Sequence, residues 1–341
     1  MSYSPFIESL SKGHFKRNIL ESALLGTGIN QEQLFAYARK NRDEYFPQAK
    51  VEVRSVIELS NVCHQNCSFC NIHIHAKLKR YTISYTQFIQ TIEYLYLKGR
   101  RVILLQSGEN RSPQYIDYAS KCIHQAKNKF DNLTFILCMG NLNYKQYKQL
   151  KDAGADRYIL KFETSNPGLY QQIKPSDSLQ KRIDCINILN DLGFEVGSGN
   201  IVGLPGQTVQ NLVDDLLFIN QLKLTMVSTS AFIPAENSNY SNEPPGDLNI
   251  TLNYMALMRI RYPKMLIPST SSLEKVKPGG QYLGLRAGAN TVTIHDGTPQ
   301  HLKKYFPIYS TKRFIPSEKH IKKIIAKADL VIELKPQMNT D

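Results

Sequence analysis

Short apolar runs alternate with longer segments of helical periodicity along most of this chain. The alternation begins at about residue 52 and continues to about residue 300. Strands are predicted at residues 55–59, 101–106, 133–139, 157–161, 195–202, 226–232, 265–268 and 291–294. Helices are predicted between most of them, for example at residues 86–98, 141–153, 180–192 and 208–222. The pattern is typical of a chain in which strands and helices follow each other in turn.

Eight strands within roughly 240 residues predict an α/β fold, with parallel strands closed into a (β/α)8 barrel of the TIM type. A doubly wound open sheet has the same periodicity and remains an alternative. Residues 1–50 are predicted to form a helical N-terminal extension, and residues 51–316 the barrel. Residues 317–341 are predicted to form a C-terminal helix and tail packed on the barrel.

The composition allows a large buried core. Hydrophobic residues make up 42% of the 341 residues, yet no apolar run is long enough to cross a membrane. The first residues lack the apolar core of a signal peptide. Cys122, Cys138 and Cys185 are scattered and indicate no disulfide framework. We therefore expect a cytoplasmic protein that makes no contact with a membrane.

The chain is basic, with 42 Lys and Arg against 29 Asp and Glu and a formal charge of +13. Such a surplus raises the question of nucleic acid binding. The basic residues are spread along the chain in short runs, such as Lys77-Leu78-Lys79-Arg80 and Lys322-Lys323. This distribution favours solvated lysine-rich faces over a nucleic-acid partner, and an RNA-modifying enzyme remains an alternative.

Three of the six cysteines fall within eight residues, directly after the first predicted strand. Cys63, Cys67 and Cys70 have the spacing C-x3-C-x2-C. Three thiolates can hold three corners of a cubane iron–sulfur cluster and leave the fourth iron open to a small molecule. A structural zinc site with His73 or His75 as fourth ligand is the alternative, although the chain has no second C-x2-C pair.

Polar and glycine-rich segments recur where the predicted strands end. In a barrel, catalytic residues lie at the carboxyl ends of the strands and in the loops that follow. The segments that follow the predicted strands in this way are Gln106-Ser107-Gly108-Glu109, Cys138-Met139-Gly140, Glu163-Thr164-Ser165, Gly203-Leu204-Pro205-Gly206 and Pro268-Ser269-Thr270-Ser271. Together with the cysteine motif, they predict an active site at one rim of the barrel.

Several motifs in order make the chain resemble the radical S-adenosylmethionine (SAM) enzymes. Within that group it resembles the biotin-synthase branch, whose members have a complete (β/α)8 barrel, and most of all the iron-only hydrogenase maturases of the HydE type. The motifs are VILLQSGE at 102–109, AGADRY at 153–158, ETSNP at 163–167, GSGNIVGLPGQT at 197–208, LVDDLLF at 212–218, FIP at 232–234 and LRAGAN at 285–290.

The resemblance implies a [4Fe–4S] cluster on Cys63, Cys67 and Cys70. It also implies that SAM binds the open iron and is cleaved reductively to a 5′-deoxyadenosyl radical. For SAM, the resemblance implies that Gly108 and Glu109 hold the amino group and that Arg182 holds the carboxylate. Glu163 would take the ribose hydroxyls or the amino group. Ser165 would lie beside the site, and the backbone around Gly203 would lie along the adenine. An ordinary surface ion pair is the alternative role for Glu163 and Arg182.

The resemblance to individual members is incomplete. Biotin synthase holds a second cluster with three cysteines, of which only Cys138 is present here, and Gly197 occupies another of the positions. Residues 261–274 look like 3-methylornithine synthase, but the aspartate that binds its amino acid falls at Ser272. Without that carboxylate a lysine ammonium would lack its charged partner. Neither classical biotin synthesis nor a lysine substrate is therefore favoured.

The HydE-type resemblance supplies the candidate substrate contacts. Lys161 stands where an arginine is expected, and this exchange alters ligand recognition because lysine is a point charge whereas arginine is a fork. Arg157, Thr270 and Ser271 match polar positions that face the cavity. We expect these four residues to be the catalytic or substrate-binding set.

The sequence thus predicts a radical SAM enzyme that acts on a small molecule or a metal-complex precursor. A reductant such as flavodoxin or ferredoxin is the expected protein partner. A 3-methylornithine-synthase-like mutase, another biosynthetic radical SAM enzyme, an RNA-modifying enzyme and a zinc-binding scaffold are the alternatives.

Overall fold

The strands form a nearly closed parallel barrel, seen in a computed structural model that describes residues 5–308, 310 and 314–333. The barrel strands are β1 (Lys50–Ser60), β2 (Val102–Ser107), β3 (Thr134–Cys138), β4 (Arg157–Ile159), β5 (Glu195–Val202), β6 (Met226–Ala231), β7 (Pro268–Ser269) and β8 (Thr291–Ile294). Their order is β6-β5-β4-β3-β2-β1-β8-β7, with parallel pairing throughout. A parallel bridge from Met226 to Leu266 brings the two ends together. The predicted (β/α)8 barrel is confirmed.

Helices follow the strands and cover the barrel. They are α4 (Tyr85–Leu97), α5 (Pro113–Lys129), α6 (Tyr144–Asp152), α7 (Pro167–Ile173), α8 (Leu179–Asp191), α9 (Val209–Phe218), α10 (Leu248–Arg261), α11 (Ser271–Val276) and α12 (Gly280–Arg286). Ser84, Asn143 and Thr208 start three of these helices with capping boxes. The capping residues thus fix where each of these three helices begins, and so where the preceding loop ends.

The N-terminal helices pack on the helical shell of the barrel. They are α1 (Pro5–Ser11), α2 (Arg17–Leu24) and α3 (Ile29–Tyr45), and a 3-10 turn at Pro47–Ala49 leads into β1. Asn253 of α10 ties the contact, because its amide donates to the carbonyl oxygens of Leu24 (2.9 Å) and Gly26 (2.8 Å). The predicted helical character of the first fifty residues is confirmed; the division of the chain into three domains stays a prediction.

The C-terminal part adds one helix and one strand. Helix α13 (Glu318–Lys327) packs against α12, and strand β9 (Val331–Glu333) pairs in parallel with the first residues of β1. The predicted apolar run at 330–334 ends at a residue outside the described part of the chain. None of the helices in the described ranges has the length and apolarity needed to span a bilayer.

A buried ion network lies at the amino ends of β1, β4 and β5. Glu52 is fully buried and accepts from Arg54 Nε at 2.7 Å and from Arg157 Nη1 at 2.9 Å. Arg157 Nε also pairs with Glu195 at 2.7 Å. Burial alone would raise the pKa of Glu52, but the two guanidinium groups outweigh it and lower that pKa. The carboxylate is therefore ionised, and the network forms a charged floor beneath the barrel interior.

Candidate active site

Three cysteines lie on the wall of one cavity at the carboxyl ends of the strands. Cys63, Cys67 and Cys70 follow β1 as free, partly buried thiols. The cavity, called the cysteine cavity below, has a volume of about 190 Å³. Its other lining residues are Gln65, Phe69, Ile72, Gln106, Ser107, Gly108, Glu109, Cys138, Gly140, Ile159, Leu160, Lys161, Glu163, Lys174, Arg182, Phe306 and Ile308. Residues from several strand ends that are far apart in sequence thus surround one space.

Arg80 holds the cysteine loop in shape from outside the cavity. Its guanidinium donates to the carbonyl oxygens of Asn61 at 2.6 Å, Ile72 at 2.9 Å and His73 at 2.6 Å. These carbonyl groups lie on both sides of the cysteine motif. Because one rigid guanidinium group binds the segments before and after the cysteine motif, it holds the two ends of the loop together without regular secondary structure.

Two glycines let the ends of β2 and β3 approach this loop closely. A Cβ atom at Gly108 would collide with the carbonyl group of Val62 and with the side chain of Cys63. A Cβ atom at Gly140, which has a φ of +78°, would collide with the carboxylate of Glu109. The two glycines therefore allow the backbone to pack closely against Cys63 and Glu109.

Glu109 is a buried carboxylate that faces the cysteine cavity. It accepts a hydrogen bond from Gln65 Nε2 at 2.7 Å and forms an ion pair with Arg111. Burial raises the pKa of Glu109, but Arg182, Lys174 and the Gln65 hydrogen bond lower it by more, so the net shift is downward. Glu109 is ionised at neutral pH and offers a negative charge to a cationic group in the cavity.

Arg182 and Lys174 place two buried cations on the wall of the same cavity. Arg182 Nη2 donates to Asp177 at 3.1 Å, and Arg182 Nε donates to the Tyr170 hydroxyl at 3.1 Å. Lys174 Nζ lies 3.8 Å from Asp177. Burial opposes the charge on Arg182, but Tyr170 and the neighbouring carboxylates raise its pKa well above the ordinary value. Both cations share the carboxylate of Asp177. Sequence reasoning missed Lys174.

Glu163 has an unusual backbone and a cationic neighbour. Its φ is +64°, a left-handed conformation that costs free energy for a residue with a side chain. Backbone hydrogen bonds hold it there: Glu163 N donates to Gly199 O, and Ile201 N donates to Glu163 O, both at 2.9 Å. Its carboxylate lies 3.1 Å from Lys161 Nζ. The strain turns the carboxylate from the end of β4 into the cavity.

Ser165 and Gly203, both predicted near SAM, lie behind this wall. They are not among the described residues that line a cavity at the strand ends. The Ser165 backbone N–H and hydroxyl donate to Asp215 at 2.6 and 2.7 Å, and Asn200 Nδ2 donates to the same carboxylate at 3.0 Å. Gly203 N donates to Gln207 Oε1 at 2.7 Å. Both residues therefore shape the loops that carry Glu163 and Ile201.

A second cavity of about 170 Å³ lies inside the barrel and is called the barrel cavity below. It is lined by Arg54, Val56, Leu104, Gln106, Cys138, Ile159, Lys161, Ser228, Ser230, Pro268, Thr270, Ser271, Lys275, Thr293, His295, Ile308 and Phe314. The two cavities share Gln106, Cys138, Ile159, Lys161 and Ile308. The two cavities are therefore contiguous.

The predicted substrate contacts divide between two places. Lys161, Thr270 and Ser271 line the barrel cavity, and Lys275 and His295, which sequence reasoning missed, line it too. Arg157 does not. Arg157 belongs to the charged floor, where its guanidinium group forms ion pairs with Glu52 and Glu195. Because Arg157 is not among the described residues that line either cavity, its role as a substrate contact stays a prediction.

The donor set suits a cluster better than a single metal ion. Among the described residues, no three His, Cys, Asp or Glu side chains converge to hold one ion. His73, the proposed fourth zinc ligand, has its Nε2 3.3 Å from the Asn237 carbonyl oxygen. Three thiols spread around a cavity match a cubane cluster, whose size exceeds that of one ion.

Comparison with known proteins gives the class. Residues 57–219 match the radical SAM superfamily. The [FeFe] hydrogenase maturase subunit HydE of Thermotoga maritima is 36% identical over 316 residues, 92% of this chain and 89% of the relative. 3-Methylornithine synthase of Methanosarcina barkeri is 26% identical and covers 77% of this chain and 74% of its own. The crystal structure of methylornithine synthase (PylB) has a TM-score of 0.83, 22% identity and 98% coverage of each chain.

The fold, the three-thiol cavity and these relatives define a SAM-cleaving iron–sulfur enzyme. The chain belongs to the radical SAM superfamily and, within it, to the family of HydE. Enzymes of this superfamily use a [4Fe–4S] cluster and SAM, and reductive cleavage of SAM at the cluster supplies a 5′-deoxyadenosyl radical. The three thiols fit the cluster, and the cavity that they line also contains the carboxylate of Glu109 and the cations of Arg182 and Lys174.

Proposed function

We propose that this chain is a HydE-type hydrogenase maturase that acts on a small molecule or a metal-complex precursor held in the barrel cavity. The contiguity of the two cavities supports this proposal most directly, because five residues line both. A radical formed beside the cysteines would therefore arise next to a substrate held in the barrel. The 36% identity to HydE over nearly the whole chain supports the specific reaction.

The cofactor contacts form the first part of the proposal. Cys63, Cys67 and Cys70 hold the cluster. Burial raises the pKa of the Cys67 and Cys70 thiols, so binding of the cluster releases protons. Cluster uptake should therefore become more favourable as the pH rises.

The SAM contacts follow from charge. The ionised carboxylate of Glu109, set beside the backbone of Gly108, takes the ammonium group of SAM. Arg182, together with Lys174, takes the carboxylate, a pairing that buried cations make well. Glu163 takes the ribose hydroxyls. Ser165 and Gly203 act indirectly, by positioning the backbone of the two loops.

The substrate contacts are Lys161, Thr270 and Ser271, with Lys275 beside them. A cation and hydroxyl groups in an enclosed space suit a polar substrate that carries negative charge. Arg157 is left out of this set because it forms the floor of the barrel. The proposed setting is the cytoplasm, where thiols stay reduced and where a reductant such as flavodoxin or ferredoxin supplies electrons.

The 3-methylornithine synthase reaction fits less well. The position of its amino-acid-binding aspartate is Ser272 here, which is buried and hydrogen-bonded to Thr270 Oγ1 at 2.9 Å. A hydroxyl group cannot offset the charge of a buried ammonium. Biotin synthesis fits less well too, since Cys138 alone remains of the cysteines that hold the sulfur-donating cluster.

Genetic complementation tests the specific reaction. The chain is expressed in cells that lack their own HydE but contain an [FeFe] hydrogenase and the other maturation proteins. Restored hydrogenase activity, lost again in a Cys67→Ala variant, is the expected result. If the purified chain cleaves SAM but never restores hydrogenase activity, the class stands and the HydE reaction is wrong.

A further inference from the structure

A histidine and a glutamate form a buried pair at the wall of the barrel cavity. His295 Nδ1 lies 3.1 Å from Glu58 Oε1, and the Glu58 side chain is fully buried. His295 is only 8% exposed, and it lines the barrel cavity. Neither the proposed SAM contacts nor the proposed substrate contacts include this pair.

The barrel brings the two residues together from distant parts of the sequence. Strands β1 and β8 pair in parallel, so the end of β1 and the residue directly after β8 reach the same rim. Side chains alternate along a strand, which puts Glu58 on the same face of β1 as Arg54 and Val56, two residues of the barrel cavity. Thr293 and His295, which are likewise one residue apart, both line that cavity. The pair therefore belongs to the interior of the barrel.

Backbone contacts fix the position of Glu58. Its N–H donates to Thr298 Oγ1 at 2.9 Å, and its carbonyl oxygen accepts from the Tyr81 hydroxyl at 2.9 Å. Thr298 lies in the loop that also carries His295, so this loop is tied to β1 at two points. An ionised carboxylate only accepts hydrogen bonds, so the imidazole donates to Glu58 from a protonated Nδ1. This contact sets both the orientation of the ring and the nitrogen that carries the proton.

The second ring nitrogen, Nε2, is then an unprotonated acceptor. Among the described residues, Glu58 is the only hydrogen-bond partner of His295, which leaves Nε2 to a molecule in the barrel cavity. The charged side chains that line this cavity with the histidine are all cations: Arg54, Lys161 and Lys275. Nearby cations favour the anionic form of a bound acid. The cavity thus combines a proton acceptor with groups that stabilise the anion left behind.

We infer that His295 is a catalytic base, and that the substrate in the barrel cavity is a small weak acid. The inference deepens the proposed function and rests on it. His295 Nε2 takes a proton from an N–H, O–H or S–H group of the substrate. That bond breaks, its electron pair stays on the substrate, and an N–H bond forms on the imidazole, without oxidation or reduction. The resulting imidazolium lies beside the Glu58 carboxylate, which stabilises its charge.

The test removes the imidazole ring and then supplies it again. Purified, cluster-loaded variants are added to an extract of cells that lack HydE but contain an [FeFe] hydrogenase and the other maturation proteins. The rate of hydrogenase activation is measured. We expect His295→Ala and His295→Gln to lower this rate roughly 100-fold, at the lower end of the range for general acid–base catalysis. Added imidazole should restore part of the rate in His295→Ala but not in His295→Gln, whose side chain fills the space.

Two further variants separate catalysis from packing. His124→Ala is the matched control, because it removes an exposed histidine of α5, and it should keep the wild-type rate with and without imidazole. In a His295→Ala/Glu58→Gln double variant, imidazole should no longer restore the rate, since the carboxylate that would stabilise the added ring as a cation is lost. Iron content and far-UV circular dichroism check that each variant is folded and loaded.

Nuclear magnetic resonance of the ring nitrogens gives a readout that does not depend on activity. In cluster-free protein with isotope-labelled histidine, the signal that is missing from His295→Ala should show a proton on Nδ1 and none on Nε2. A proton on Nε2 at the pH of the assay would overturn the inference. So would a wild-type rate in His295→Gln, or a loss in His295→Ala that imidazole does not restore. The proposed function fails separately, if the wild-type chain itself activates no hydrogenase.

Discussion

At the scale of single residues, Lys161 connects the two halves of the site. It lines both cavities, and its ammonium group lies 3.1 Å from Glu163. If the ribose of SAM takes the Glu163 carboxylate, the ammonium group becomes free to bind a substrate in the barrel. Lysine suits such a role because its long stem rotates freely, whereas the arginine expected from HydE-type enzymes holds a fixed fork.

Replacement of this lysine should separate radical formation from its use. In a Lys161→Met variant we expect SAM cleavage to 5′-deoxyadenosine within a few-fold of wild type, since the cysteines and Glu109 are untouched. Hydrogenase maturation should fall by roughly 10- to 100-fold, the range for loss of one charge-assisted hydrogen bond. Lys161→Arg is the control and should restore part of the loss. Maturation at the wild-type level in Lys161→Met would contradict this role.

Asp215 should give the folded protein a specific pH dependence. Burial raises the pKa of Asp215 from 3.8 to about 6, in spite of the hydrogen bonds from Ser165 and Asn200. The folded carboxyl thus holds its proton more tightly than the unfolded one, so stability is lost as the pH rises from about 4 to 6. Relative to Asp215→Asn, the cluster-free wild type should lose about 2 kcal/mol of unfolding free energy between pH 4 and 7.

The Asn variant is a suitable reference for this comparison. Asn200 Oδ1 is buried without a hydrogen-bond partner among the described residues, so a flipped Asn200 amide can accept from the new side chain. Denaturant unfolding of the two proteins at each pH measures the difference. A difference that stays constant between pH 4 and 7 would show that Asp215 does not titrate in this range.

Residues that take part in the site were predictable from sequence to different degrees. The cysteines came from their spacing alone, and Glu109, Glu163 and Arg182 from the resemblance. Lys174 was missed because one lysine before a helix carries no signal, and its burial depends on the packing of α7 and α8. Asp215 was missed because it lies within a helical pattern that gives no hint of its buried partners.

At the scale of elements, the cysteine loop depends on a residue that follows it. We expect Arg80→Met to lower the iron content after reconstitution to less than about half that of wild type, because several backbone carbonyl groups lose their donor. Far-UV circular dichroism should show an intact barrel. Arg101→Met is the matched control: Arg101 also donates to backbone carbonyl groups, but it stacks on Tyr96 away from the loop. Full iron content in Arg80→Met would mean that the loop is held in other ways.

Most strands were predicted correctly, and the exceptions have physical causes. β1 is longer than the predicted 55–59, because Glu52 and Arg54 interrupt the apolar pattern but pair within the barrel. β7 is limited to Pro268–Ser269 and begins where the prediction of 265–268 ends, since few of its backbone groups pair with β8. α10 is buried on all sides and so has hardly any amphipathic pattern. Tertiary contacts, which a local pattern does not contain, decide these three cases.

At the scale of the whole molecule, the charged floor should matter for stability rather than for substrate binding. Arg157→Met leaves the buried Glu52 with one of its two cations, at a cost of roughly 3 kcal/mol in unfolding free energy. The exposed pair of Arg17 and Asp214 provides the control, since Arg17→Met should change stability by less than about 1 kcal/mol. Urea unfolding of the cluster-free proteins gives both values. A lower maturation yield without a loss of stability would instead support substrate contact by Arg157.

The barrel and its loops together create the conditions that radical chemistry requires. Two contiguous cavities lie above the charged floor, one bordered by thiols and the other by polar side chains. The strands fix the walls, and the loops that follow them supply the chemistry, as in other barrels. Radical formation in this space therefore depends on one feature: the three cysteines must hold a cluster that reduces SAM.

Anaerobic reconstitution with iron and sulfide tests that claim most directly. The reduced protein is examined by electron paramagnetic resonance with and without SAM, and the products are analysed. We expect about four irons per chain, a reduced-cluster signal that SAM perturbs, and 5′-deoxyadenosine, all lost in Cys67→Ala while the barrel stays folded. A folded protein that binds zinc, takes up no cluster and leaves SAM intact would show that the three cysteines form a zinc site instead.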